Sequence, residues 1–98
     1  MNKFNEYILS DIPVLVDFYA TWCGPCQMLG PIIVEVKRHF GDRLKVIKID
    51  VDKSQDIAQH FQVRSVPTMM LFQNGKSLWR QTGVLPKEEI IKTVDKLL

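Results

Sequence analysis

Both cysteines of this chain lie in one short stretch, Trp22-Cys23-Gly24-Pro25-Cys26. It follows a mostly apolar run at positions 14–20, which predicts a buried strand. From position 24 onward, apolar residues recur at helical spacing as far as Phe40. The two cysteines therefore lie where a strand passes into a helix, which is typical of a redox-active pair.

A thiol at the start of a helix faces backbone N–H groups without partners and the positive end of the helix dipole. Both favour the thiolate, so we predict that Cys23 is the nucleophile. Cys26 follows one turn later, near enough to form a disulfide but deeper and less exposed, so we predict that it is the resolving thiol. Pro25 suits a first helical turn and Gly24 allows another backbone to approach the sulfur, which predicts a surface that docks a peptide.

Composition limits the size and class of the protein. A chain of 98 residues with 46% hydrophobic residues fits one domain at residues 1–98. The net charge of +2 comes from interspersed residues, so we expect neither a nucleic-acid nor a membrane partner. The first residues lack the apolar core of a signal peptide, which predicts a cytoplasmic location. In that reducing compartment a lone cysteine pair is more often catalytic or metal-binding than a structural disulfide.

The remaining pattern predicts four helices and four strands. Helices are predicted at residues 3–9, 24–40, 54–61 and from 86 onward, with Asn2 and Ser54 as caps, Gly41 ending the second and Pro86 starting the fourth. Strands are predicted at residues 14–19, 44–51, 68–72 and 77–82. The last two flank Asn74-Gly75, a strong hairpin signal, so they should be antiparallel.

A series of motifs extends along almost the whole chain: Asp17, the Trp-Cys-Gly-Pro-Cys stretch, Pro31, Lys48, Val66-Pro67-Thr68, Phe72-Gln73-Asn74-Gly75 and Gly83. In this order the motifs resemble the thioredoxin family. The resemblance implies an α/β thioredoxin fold, with a central mixed sheet flanked by helices on both faces and a cis proline at Pro67 beside the cysteines. Only a short helical segment precedes the strand that carries Asp17, so we expect the family's N-terminal edge strand to be lost and the sheet to have four strands.

Asp17 lies within an otherwise apolar strand. Burial would raise its pKa and allow it to exchange a proton with Cys26, whereas on a half-exposed strand it would simply face solvent. The resemblance places the matching aspartate behind the resolving cysteine. It also implies that Lys48 pairs with Asp17 and modulates its titration, although a solvated strand lysine is the alternative.

The cysteine chemistry predicts a protein-disulfide reductase. Cys23 would attack a partner's disulfide, and Cys26 would then attack Cys23 to release the reduced partner. The resemblance implies that thioredoxin reductase, a flavoprotein that draws on NADPH, restores the dithiol. The chain has no glycine-rich nucleotide fingerprint, so we expect no bound cofactor, and we expect a monomer.

The resemblance also implies a shallow apolar groove that contacts disulfide-containing substrate proteins. Its predicted residues are Trp22, Gly24, Pro25, Val51, Val66, Pro67, Gly83 and Val84. If the bond before Pro67 is cis, the N–H and C=O of Val66 turn outward and can pair with an extended peptide. Ordinary core and turn positions are the alternative for most of this set. The chain departs from the family at Tyr19, where tryptophan is commoner, and at Gln27 and Ser65.

The sequence offers two alternatives to the reductase. Cys23, Cys26 and His39 have the spacing of three zinc-finger ligands, but no histidine lies near position 44, and His39 would lie roughly 20 Å from Cys26 along the helix. We therefore expect no metal site, and expect His39 and His60 at the surface. The second alternative is a binding module or accessory subunit that uses the groove without redox turnover.

Overall fold

The computed structural model describes residues 1–98 as four α-helices, one 3-10 turn and four strands. The helices are α1 (Asn2–Ile8), α2 (Gly24–Phe40), α3 (Gln55–His60) and α4 (Lys87–Leu97), and the 3-10 turn is Gly41–Arg43. The strands are β1 (Val14–Tyr19), β2 (Lys45–Asp50), β3 (Thr68–Gln73) and β4 (Lys76–Thr82). The predicted order of elements is confirmed, and no helix is long and apolar enough to span a bilayer.

The strands form one mixed sheet in the order β2-β1-β3-β4. β1 and β2 are parallel, and β3 runs antiparallel to both β1 and β4. The predicted antiparallel hairpin is present, with Asn74 and Gly75 both at positive φ at its tip. The sheet has four strands, as predicted. In this order β2 lies at an edge of the sheet, with one unpaired side.

Helices cover both faces of the sheet. Side chains alternate between these faces along β1, so this strand contributes to two cores. Val14, Val16 and Phe18 pack in a core with buried residues of α1 and α3. Leu15 packs on the opposite face with residues of α2 and α4. Asp17 also projects on the α2 side, since it lies two residues from Leu15 on the strand. The fold thus places a carboxyl group beneath the helix that begins with the cysteines.

Some predicted helix starts are wrong in detail. α1 begins at Asn2 with Met1 as its N-cap, so Asn2 is not the cap. Ser54 occupies the N-cap of α3, but its side chain makes no capping hydrogen bond. Pro86 is the N-cap of α4 rather than its first residue. Gly41 does end α2 as predicted, and the helix continues through Pro31.

Candidate active site

The cysteine pair lies at the junction between β1 and α2. Cys23 is the N-cap of α2 with extended backbone, and Pro25 occupies the first turn. Cys23 and Cys26 are joined by a disulfide, with Cα atoms 5.3 Å apart. The Cys23 Sγ accepts a hydrogen bond from the Cys26 N–H at 3.1 Å. This donor is one of the N–H groups that a helix start leaves without a partner, and it would stabilise negative charge on that sulfur.

The predicted difference in exposure between the two cysteines is wrong. Both are buried in the disulfide form, Cys23 with 4% of its surface exposed and Cys26 with 6%. They form a small cluster with Ala20, against which Val66 packs. The two cysteines therefore differ in their position on the helix and in the hydrogen bonding of their sulfurs, and as residues they are about equally buried.

The segment before β3 faces the disulfide. The Val66–Pro67 bond is cis, as predicted. The carbonyl oxygen of Val66 lies 3.7 Å from the Cys23 Sγ. The Pro67 carbonyl accepts from the Gly83 N–H at 2.9 Å, and Gly83 has a φ of +92°, which other residues rarely adopt. These contacts place Val66 against Cys23 and hold Gly83 against the adjoining Pro67.

Other predicted groove residues partly converge beside the cysteines. Trp22 is 72% exposed, and its ring N–H donates to the Asp52 carboxylate at 2.9 Å. A cavity of about 350 Å³ is lined by Trp22, Val51 and Val66 together with residues 63–65. Gly24 and Pro25 are exposed on the first turn of α2. Val84 packs instead against the core between α2 and α4, outside this cavity.

Asp17 is buried, with 1% of its surface exposed, and its Oδ1 atom has no hydrogen-bond partner. Burial raises the pKa of Asp17 to about 6, and the nearby positive charge of Lys48 lowers it in part. A carboxyl with this pKa can both accept and release a proton near neutral pH. The solvent-facing alternative for Asp17 is therefore wrong.

Lys48 lies opposite Asp17 in the parallel register of β1 and β2. The predicted ion pair between Lys48 and Asp17 is wrong: the two ion pairs of the chain are Met1–Asp56 and Arg38–Glu35. The Lys48 ammonium group lies over the ring of Tyr19, with Nζ 4.7 Å from the ring centroid. A second cavity, of about 370 Å³, is lined by Tyr19, Cys26 and Lys48 among others.

Known proteins with similar sequence and structure agree with this geometry. The family model described as Thioredoxin matches residues 1–96. This chain belongs to the thioredoxin family. It is 47% identical to the chloroplastic thioredoxin Y of Oryza sativa over 99% of its length, although it spans only 58% of that relative. It is 41% identical to thioredoxin 1 of Synechococcus elongatus, over 95% of this chain and 87% of the relative.

Among solved structures, oxidised mitochondrial thioredoxin 3 of Saccharomyces cerevisiae superposes with a TM-score of 0.87. The two are 32% identical, and the match covers 97% of this chain and 88% of the yeast chain. Both the fold and the cysteine spacing are therefore those of a thioredoxin. Members of this family are thiol-disulfide oxidoreductases, and the disulfide between Cys23 and Cys26 in this chain has the spacing of a redox-active cysteine pair.

Two residues that contact the groove or its neighbouring loop were not predicted from the sequence. Asp52, which binds the Trp22 ring, is separated from it by 30 residues. Arg80 on β4 donates from its two terminal nitrogens to the consecutive carbonyls of Phe61 and Gln62, the second at 2.8 Å. Both contacts depend on chain folding over long sequence separations, and no local pattern indicates them.

Potential metal ligands do not gather into a site. No group of three or more His, Cys, Asp or Glu residues is arranged to hold a metal ion. His39 and His60 are both exposed, as predicted. His39 lies near the end of α2 and Cys26 near its start, so the spacing that resembles zinc-finger ligands does not become a cluster.

Proposed function

We propose that this chain is a protein-disulfide reductase in which Cys23 is the nucleophile and Cys26 the resolving thiol. The observation that carries the assignment is the 3.1 Å hydrogen bond from the Cys26 N–H to the Cys23 Sγ at the helix N-cap. This contact stabilises a thiolate at position 23, and Cys26, within the helix, has no equivalent cap position. The direction of electron flow, from dithiol to substrate, accords with the absence of histidine between the cysteines.

The exchange proceeds in two balanced steps. The Cys23 thiolate attacks one sulfur of a substrate disulfide, forms a mixed disulfide and displaces the first substrate thiolate. Cys26, once deprotonated, attacks the Cys23 sulfur and displaces the second substrate thiolate. Two electrons pass to the substrate, which takes up two protons, and the Cys23–Cys26 disulfide is left.

Asp17 is the proposed proton acceptor for Cys26. Its pKa of about 6 means that it is mostly ionised at neutral pH and retains enough basicity to take up a proton. The Oδ1 atom is buried without a partner, so one lone-pair site is free for a proton or a water molecule. Lys48 is proposed to tune this group through its charge.

Substrate is proposed to bind across the groove beside the cysteines. The Val66 backbone would pair with an extended peptide as an added strand does. Trp22, Val51 and Val66 line the adjacent cavity and supply apolar contact. Gly24, Pro25, Pro67 and Gly83 complete the proposed docking surface. Val84 is left out of it, because it packs against the core with residues of α2 and α4.

A separate electron donor must restore the dithiol after each turnover. We propose thioredoxin reductase, a flavoprotein that draws on NADPH, as that donor, with no cofactor bound to this chain itself. The protein is proposed to act as a monomeric single domain over residues 1–98. The cytoplasm is the proposed compartment, where thiols are kept reduced; the relatives include both bacterial and chloroplastic proteins.

Coupled turnover tests this function. Reduction of insulin disulfides is followed with NADPH and a thioredoxin reductase, for the unaltered protein and for the Cys23→Ser and Cys26→Ser variants. We expect catalytic NADPH oxidation with the unaltered protein and loss of turnover in both variants. Absence of turnover in the unaltered protein, with the fold confirmed by circular dichroism, would reject the reductase.

A further inference from the structure

Tyr19 occupies a distinctive position beside the proposed proton acceptor. It lies two residues after Asp17 on β1, so both side chains project on the α2 face of the sheet. Lys48 lies opposite Asp17 on the neighbouring strand. The Lys48 ammonium nevertheless rests over the Tyr19 ring, 4.7 Å from its centroid, and makes no ion pair with Asp17.

Tyr19 and Lys48 border an opening that reaches the resolving cysteine. The cavity of about 370 Å³ is lined by Tyr19, Ala20, Thr21, Cys26, Gln27, Gly30 and Lys48. Gln27 and Lys48 are exposed, so the cavity opens to solvent and extends to Cys26. Asp17 is almost fully buried and does not line the cavity. The position of the Lys48 ammonium therefore affects both this opening and the field at Asp17.

Two attractions compete for that ammonium group. A buried carboxylate attracts it through charge, and an aromatic face attracts it through the ring quadrupole. Burial raises the pKa of Asp17, and the positive charge of Lys48 lowers it in part. Of the other elements on this face, β3 places the apolar Met69 opposite Asp17, and α2 contributes Cys26 near its start.

We propose that Tyr19 is a positioning residue, which holds the Lys48 ammonium over its ring and so prevents it from forming a direct ion pair with Asp17. This inference rests on the proposed function of Asp17 as proton acceptor. A direct ion pair would stabilise the carboxylate and make it a weaker base toward the Cys26 thiol. Tyr19 thus keeps the positive charge near enough to moderate Asp17 but too far to neutralise it.

Substitutions at positions 19 and 48 separate the effect of the Tyr19 ring on the pKa of Asp17 from other effects of changing the side chain. The pKa of Asp17 is measured by carboxyl ¹³C NMR in the unaltered protein and in Tyr19→Leu, Tyr19→Phe, Lys48→Met and the Tyr19→Leu/Lys48→Met double variant. We expect Tyr19→Leu to lower the pKa by about 1, because the released ammonium moves to the carboxylate. Tyr19→Phe keeps the ring face and should leave the pKa unchanged.

The double variant is the decisive control. Without the lysine, loss of the ring should no longer lower the pKa, so the double variant should match Lys48→Met. An unchanged or raised pKa in Tyr19→Leu, or an equal drop in the Lys48→Met background, would overturn the proposal. If Tyr19→Leu does not fold, Tyr19→Trp replaces it: the larger ring holds the ammonium at least as well, and a lowered pKa there would equally overturn the proposal.

Different measurements test the positioning role of Tyr19 and the proton-acceptor role of Asp17. The pKa of Asp17 is read without substrate, so it tests the positioning role of Tyr19 whether or not Asp17 takes part in turnover. The pH profile of insulin reduction by an Asp17→Asn variant tests the proton acceptor. If that profile matches the unaltered protein, the proposed role of Asp17 fails, while the NMR result still decides the role of Tyr19.

Discussion

At the scale of single residues, the site depends on groups held where their usual chemistry is altered. Asp17 is buried with an unpartnered oxygen, and Cys23 accepts a helix N–H. Gly83 has a backbone conformation that side-chain-bearing residues rarely adopt, and its N–H holds the Pro67 carbonyl. A single substitution can measure what each of these features contributes to stability or to the chemistry of the site.

Gly83→Ala should lower the free energy of unfolding by about 1–2 kcal/mol, because φ at this position is +92°. An added Cβ would meet no atom within 4 Å, so the loss would come from the backbone conformation alone. Urea denaturation measures the effect.

Gly30→Ala is the matched control. Gly30 lies inside α2, also with open space around an added Cβ, and this change should stabilise the protein by about 0.5–1 kcal/mol. Equal effects at the two positions would contradict this account.

At the scale of secondary-structure elements, function depends on how segments are held against one another. The loop between α3 and β3 carries residues 63–66, which line the groove cavity. Arg80 on β4 binds the carbonyls of Phe61 and Gln62 at the start of that loop. Gln62 has positive φ, an unusual conformation that these hydrogen bonds help to hold.

Arg80→Ala should raise the KM for protein disulfides several-fold while leaving the Cys23–Cys26 reduction potential unchanged. The loop loses two charge-assisted hydrogen bonds and becomes less well ordered, but no group at the cysteines changes. Insulin-reduction kinetics and a glutathione redox titration give the two quantities.

Arg38→Ala is a suitable control because Arg38 is also exposed but pairs with Glu35 on α2. It should leave both quantities unchanged. A shift of potential in Arg80→Ala, or the same rise in KM for Arg38→Ala, would contradict a role for Arg80 in positioning the loop.

At the scale of the whole molecule, the buried carboxyl links stability to pH. The pKa of Asp17 is raised from 3.8 to about 6 in the folded protein, so the folded state binds the proton more tightly than the unfolded chain. Its contribution to stability is fully present below pH 4 and is lost as pH rises through about 6. Above that range the ionised group costs up to about 3 kcal/mol.

Asp17→Asn should therefore be more stable than the unaltered protein at pH 8 by as much as about 3 kcal/mol, and the difference should shrink toward pH 4. Urea denaturation at a series of pH values measures it. A difference independent of pH would show that Asp17 does not titrate as described.

Local patterns predicted much of the fold and the reacting pair. The strand before Trp22, the apolar spacing of α2 and the Asn74-Gly75 turn each arise from neighbouring residues, and each was found. The contacts of Asp52 and Arg80 join distant parts of the chain, so no local pattern contains them. The equal burial of the cysteines also depends on a distant segment, since Val66 packs against them.

Trapping of the mixed disulfide shows which cysteine attacks the substrate. Reduced Cys26→Ser and Cys23→Ser proteins are each mixed with a disulfide substrate such as insulin, and adducts are identified by mass spectrometry. We predict that Cys26→Ser accumulates an adduct on Cys23, because the nucleophile remains and the resolving thiol is gone, while Cys23→Ser forms little. Faster adduct formation on Cys26 in the Cys23→Ser variant would contradict the assignment of Cys23 as the nucleophile.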